Sequence, residues 1–316
     1  MKIMRKLFSV LLLACISTQL LGQPDKIYKQ KSKFESVLEL NDIEKLKELD
    51  FIDSTFLNFE GFYTRPIAIA ILETGNKEII NYLIEKGADL KNVDKWNGSA
   101  LSYIPYYWYM KNRYDYGPDP FRSGICKIRY YKSNPDIEKN IKLAKYLLSI
   151  GATLETNSER ENPWELVVRH NELDILKFYV EYNNNIIPEE MHSVVMIEAC
   201  DQKNYDIVKY LLKNGVSGEQ KNEKDFTALA RASDSPEIAK LLLDNGAQIN
   251  KIGYQGTTPI MHAAREGCVE SVQLFIEHGA DVSIKSNRGY TAKKYAKKFN
   301  NKGTKDEIIS ILKHAK

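Results

Sequence analysis

Five histidines and four cysteines are the residues of this chain best suited to metal or redox chemistry, and their spacing argues against both. No two of His170, His192, His262, His278 and His314 stand four apart, the separation that puts two ligands on one helix face, and no Cys-x-x-Cys pair occurs. Gly215-Val216-Ser217-Gly218 lacks the spacing of a nucleophile elbow, and no glycine-rich phosphate loop opens a helix. The paired acids Glu189 and Glu190 read as solvated turn residues. The expectation is a non-catalytic chain with no metal, no cofactor and no small-molecule substrate.

The residue types that remain are those of recognition. Between Tyr106 and Tyr131 stand Tyr106, Tyr107, Trp108, Tyr109, Tyr114, Tyr116, Phe121, Tyr130 and Tyr131, interleaved with Lys111, Arg113, Arg122, Lys127 and Arg129. Tyrosine, tryptophan and arginine dominate binding hot spots because each covers a large area and ends in a polar group. Three readings of the stretch stand: contact with a partner protein, rings packed back on the scaffold, or stacking on a glycan or single-stranded nucleic acid.

The elements that would position such residues are short and repeated. Thr258–Ile284 holds a small apolar helix at Ile260–Arg265 and a second at Val269–Glu277, with Val272, Phe275 and Ile276 on one face. Gly267 separates them and Gly279 ends the second. Helices this short bury nothing alone, so the unit must stack on copies of itself. The closing step recurs as Gly87-Ala88, Gly151-Ala152, Asn183-Asn184, Gly215-Val216, Gly246-Ala247 and Gly279-Ala280, at spacings of 64, 32, 32, 31 and 33. The double first spacing marks a break: Thr258 to Gly279 is 21 residues, whereas Ser99 to Gly151 is 52. Gly117, Pro118, Pro120 and Gly124 punctuate the excess, which reads as a loop inserted at about 107–134, with a degenerate extra repeat as the alternative.

With its Thr258, Pro259, Ile260, Ala263, Ala264, Gly267, Gly279, Ala280 and Asp281, the unit resembles an ankyrin repeat. The resemblance implies an all-α solenoid of helix-turn-helix units with short β-hairpin fingers, of about eight units over residues 33–316, after a linker at 23–32. It also implies protein binding through finger tips and inner-helix faces. Trp96, Lys224, Phe226, Tyr254, Arg288 and Tyr290 fall in or beside the fingers. Phe226 and Tyr290 are expected to pack between fingers, and Trp96 and Tyr254 to be exposed. His262, at an inner-helix position, is expected to be an exposed or hydrogen-bonded side chain, not a ligand. The expected partner-contact residues are Trp96, Tyr106, Tyr107, Trp108, Tyr109, Arg113, Tyr114, Tyr116, Phe121, Arg122, Tyr254 and Arg288.

The N-terminus carries an address. Lys2, Arg5 and Lys6 precede an apolar stretch from Leu7 to Leu21, too short for a membrane span, and Gly22 stands before a polar break: a secretory signal over residues 1–22. Cleavage after Gly22 competes with a lipoprotein reading in which Leu12-Leu13-Ala14-Cys15 makes Cys15 a lipidated anchor. The chain is therefore expected to be exported, periplasmic or secreted, and to meet a membrane only if Cys15 is lipidated. Its net charge of +3 is accounted for by Lys2, Arg5 and Lys6, so the processed chain is neutral and nucleic-acid binding driven by net charge loses support. Cys126, Cys200 and Cys268 remain; Cys200 is expected to be a buried filler, and three cysteines cannot all pair within the chain.

The function these features point to is a protein-binding scaffold in a bacterial envelope or outside the cell. The alternatives are a membrane-anchored structural lipoprotein and an inhibitor or immunity-type protein that blocks a periplasmic toxin or enzyme.

Overall fold

The computed structural model describes residues 24–60, 62, 64–91, 93, 99–104, 137–155, 162–300 and 303–315, which divide into two compact units with the boundary between Pro163 and Trp164. The signal segment, Cys15, Trp96, the aromatic insert with all its named residues, and Cys126 lie outside the described residues.

The first unit opens with α1 (Pro24–Leu38), whose first turns occupy the stretch read as a linker. Those turns have a tertiary reason: Ile27 is buried, and the Tyr28 ring meets the edge of Phe62 at 5.9 Å. In α2 (Ile43–Lys47) the Asp42 carboxylate caps the helix by accepting the amides of Glu44 and Lys45. A further short helix, α3 (Ser54–Leu57), is capped by Asp53 and was not expected. It exists to seat Phe56, which packs edge-to-face with Phe34, Phe51 and Phe62 at centroid distances of 5.1–5.7 Å.

Next come α4 (Pro66–Glu73), in which every residue from Pro66 to Leu72 is buried, and α5 (Lys77–Glu85), capped by Asn76 and buried along Ile79, Ile80 and Leu83. A helix apolar all round must be covered all round, and α4 packs against α1, α5 and the turn that follows. That turn, Ala100–Tyr103, is a 3-10 turn standing where other repeats have their first α-helix; the Ser99 hydroxyl accepts the Leu101 amide at its start. The unit's last long helix, α6 (Ile137–Ser149), buries Asn140, Leu143, Ala144, Leu147 and Leu148, with Ile141 half-buried beside them.

The second unit holds α7 (Pro163–Arg169), α8 (Leu173–Tyr182), α9 (His192–Asp201), α10 (Tyr205–Lys213), α11 (Ala228–Arg231), α12 (Pro236–Asp244), α13 (Pro259–Glu266), α14 (Val269–Glu277), α15 (Ala292–Phe299) and α16 (Lys305–His314). The first helices of successive pairs pack in one row, α9 on α11, α11 on α13 and α13 on α15. The second helices form another row, α10 on α12, α12 on α14 and α14 on α16.

The same closure ends the second helix of six repeats, though not of the first or the last. Gly87, Gly151, Gly215, Gly246 and Gly279 have φ between 80° and 100°, and Asn184 and Asn185 take the left-handed conformation in the glycine-free repeat. The residue after each turns its amide back to the helix: Ala88 to Leu83, Ala152 to Leu147, Asn185 to Val180, Val216 to Leu211, Ala247 to Leu242 and Ala280 to Phe275, all at 2.8–3.0 Å. Neighbouring repeats are then clasped by asparagine. Asn58 donates to the Gly87 carbonyl and accepts the Asp89 amide; Asn250 does the same for Gly279 and Asp281.

Among the described residues the fingers are hairpin turns held by single bridges and turn hydrogen bonds, not by strands. Asn222 and Phe226, Gly253 and Thr257, and Ser286 and Tyr290 are paired across successive tips, with a bridge at Lys221 and Thr227. The tips are joined in turn: the Tyr254 amide donates to the Asp225 carbonyl at 2.8 Å, and the Asn287 amide to Gln255 at 2.9 Å.

Candidate functional site: a basic and aromatic groove

The fingers and inner helices of α11, α13 and α15 enclose a groove within the second unit. Two adjoining cavities occupy it, of about 150 and 270 Å³. The larger brings together two residues expected from the sequence, Tyr254 and Arg288, with Phe226, Arg231, His262 and Arg265.

Each side chain is placed by a local device. Thr227 caps α11 by accepting the Ala230 amide at 3.1 Å. That cap holds Phe226 just before the helix, in reach of Arg231 one turn on. The Arg231 guanidinium lies 4.0 Å above the Phe226 ring, a cation–π contact. One of its terminal nitrogens donates to Asp201 at 3.0 Å, while its Nε is sealed from solvent with no acceptor. Tyr254, carried by the next finger, covers the other part of Phe226 at 4.6 Å between centroids.

His262 ties the inner helix to the finger. The Thr257 hydroxyl donates to the Tyr254 carbonyl at 2.6 Å, which uses its one proton; the 2.9 Å contact with His262 Nε2 therefore has the imidazole as donor. Burial, reinforced by the positive charges of Arg265 and Arg231, holds the imidazole down at about 4. His262 is thus neutral at pH 7 and its Nε2 proton is committed. It is a structural link between the inner helix and the finger.

The expected residues meet different outcomes. Phe226 packs between fingers, as expected, whereas Tyr290 packs not on another finger but on Tyr295 and Phe299 of α15, the helix that follows it. Tyr254 is 42% exposed, but one face of its ring is taken by Phe226. Arg288 is exposed on its tip. Cys200 is fully buried, which pushes its thiol far up, and Cys200 and Cys268 are both free thiols. Among the described residues no cluster of three His, Cys, Asp or Glu side chains could hold a metal ion, and no helix is long and apolar enough to cross a membrane.

Two groove residues, Arg231 and Arg265, are not among those the sequence marks. The available signal is periodic: Arg231 stands four residues after Thr227, as His262 stands four after Thr258, so both belong to the inner-helix face.

Comparison with known proteins agrees with the geometry. Family models described as ankyrin repeats match residues 164–253, as three copies, and residues 242–296, as many copies. The chain is 32% identical over 228 residues to the ankyrin repeat protein nuc-2 of Neurospora crassa, covering 70% of this chain and 18% of that one. It is 28% identical over 144 residues to the mouse B-cell lymphoma 3 protein homolog, covering 43% and 32%. It is 29% identical over 221 residues to a putative ankyrin repeat protein of Rickettsia bellii, covering 62% and 66%. The chain thus spans less than two thirds of the length of these relatives. Ankyrin repeats are present in the chain, and its fold is an all-α ankyrin solenoid.

Proposed function

We propose that the chain is a non-catalytic scaffold that binds a partner protein through the groove of its second unit. The observation that carries this reading is the joined finger ledge. It presents Tyr254 and Arg288 over the inner-helix residues Arg231, His262 and Arg265 in a frame fixed by hydrogen bonds. A frame ordered before binding loses little conformational entropy when a partner docks. The insert, with its density of tyrosine and arginine, extends the same role as a second contact element.

Export completes the proposal. The basic start, apolar stretch and small residue at Gly22 support a cleaved signal, and the processed chain works in a bacterial envelope or outside the cell. Mass spectrometry of the mature N-terminus decides its form: a chain starting at Gln23 is expected, and a diacylated Cys15 would make it a lipoprotein instead.

Affinity capture from envelope extracts tests the scaffold reading. The intact protein, a Tyr254→Ala/Arg288→Ala variant and a version lacking residues 110–134 are compared. Loss of captured partner in the double variant is expected. Equal recovery by all three would remove both the groove and the insert from binding.

A further inference from the structure

We infer that the groove is a carboxylate-reading site, built to take an acidic segment of the partner with an Asp or Glu side chain set against Arg265 and Arg288. This deepens the scaffold reading and rests on it. The first ground is the composition of the wall. The larger cavity is lined by Arg231, Arg265 and Arg288 with no carboxylate among its described lining residues, whereas Asp201, Asp234 and Glu266 line the smaller one, so the uncompensated positive wall is that of the larger cavity.

The second ground is how little of that positive charge the chain itself neutralises. Arg288 has no ion pair among the described residues. Arg265 pairs only with its chain neighbour Glu266, in a bridge whose two side chains are 45% and 41% exposed. Such a bridge is weak and exchangeable. Arg231 has one carboxylate, Asp201, which lines the smaller cavity and not the larger, and its Nε has no acceptor. The same field shows in the neighbouring imidazole, whose protonation Arg265 and Arg231 both oppose.

The third ground is shape. A space of about 270 Å³ admits one or two side chains. Arginine offers a carboxylate two parallel donors, a geometry that lysine lacks. Stacking of a nucleic-acid base needs an open aromatic face; Phe226 carries the Arg231 guanidinium at 4.0 Å and the Tyr254 ring at 4.6 Å, which leaves the exposed part of Tyr254 to offer one. The same exposed part offers apolar cover to the residue beside the acid.

Selection of random short peptides displayed on phage, against the full-length protein, tests this. Peptides enriched in Asp and Glu are expected. For a selected peptide, Arg265→Gln or Arg288→Gln should weaken binding about tenfold, the loss of one charge-assisted hydrogen-bonded contact, and Glu→Gln in the peptide should do the same. Thermal unfolding of each variant, followed by circular dichroism, shows that it still folds; Arg288, on an exposed tip, is the safer of the two.

Peptides that lose binding with Tyr254→Ala but carry no acidic enrichment would overturn the carboxylate inference and leave the groove as the binding surface. Peptides indifferent to Tyr254→Ala and to both arginine variants, or no peptides at all, would overturn the inference and the groove reading together. Saturable binding of an oligothymidylate that these arginine variants abolish would assign the groove to nucleic acid instead.

Discussion

His262 and His170 show what burial does to a single titratable group. Both are held at about 4, mainly because the interior disfavours the charged ring, against an ordinary value of 6.5. Between those values the unfolded chain binds protons that the folded chain does not. Their contribution is complete above about pH 6.5 and is lost as pH falls towards 4, by ~3 kcal/mol for each ring. Urea midpoints measured from neutral pH downward should fall across this window, and His262→Gln should flatten the fall; midpoints that hold level would contradict it. Thiol chemistry offers a second check. In a Cys126→Ser background, a thiol reagent should label Cys268, which is half-buried, in the native protein, and Cys200 only after denaturation. Not every residue of the groove is readable in advance. Tyr254 and Arg288 sit at finger tips that the glycine and threonine spacing locates. Arg231 and Arg265 sit on inner-helix faces, where a charged residue looks like any solvated helix position until the fold turns that face into the groove.

The helical pairs depend on how each helix ends, and two glycines separate conformation from crowding. Gly279 has φ +80° and open space where a Cβ would go, so Gly279→Ala should cost only the backbone penalty of ~1–2 kcal/mol. Gly267 has φ +74°, but a Cβ there would lie 2.9 Å from both Asn300 Oδ1 and Thr304 Oγ1. Thr304 Oγ1 donates to the Gly267 carbonyl, so relieving the crowding breaks that bond, and Gly267→Ala should cost ~1 kcal/mol more. Chemical denaturation of the two variants measures the gap; equal losses would mean that the neighbours move aside freely. Helix faces and closing steps are legible in the sequence because both are local and periodic. The extent of α1, the small helix α3 and the 3-10 turn at Ala100–Tyr103 are not. The first two depend on a cluster of phenylalanines that only the tertiary fold assembles, and the third contains too few residues for a period to show.

At the scale of the whole chain, the start of the folded body is the feature that sequence places wrongly. Ile27 is buried, the Tyr28 ring packs on Phe62, and the Lys31 ammonium lies 5.1 Å from the same ring. A chain beginning at Lys33 in place of Gln23 should therefore lose ~2–4 kcal/mol, the sum of one buried isoleucine and one aromatic pair. Comparison of the two by urea unfolding gives the answer, and identical midpoints would return residues 23–32 to the status of a linker. The repeat period is readable over residues 164–296, where the ankyrin-repeat models match, because each repeat answers mainly to its neighbours. The break in that period is a length without a pattern in the sequence, and it lies outside the described residues.

The asparagine clasps at Asn58 and Asn250 also act as a gauge of length. One side-chain amide bonds a carbonyl and an amide two residues apart in the next repeat, 29 and 31 residues along the chain. Both bonds form only when the intervening pair of helices and its hairpin have the right count. A repeat seated one residue out of step leaves the amide facing groups it cannot satisfy. Such an error is penalised where it arises, before the next repeat is laid down. At these two junctions the fidelity of stacking is thus checked by a side chain that takes no part in the hydrophobic core.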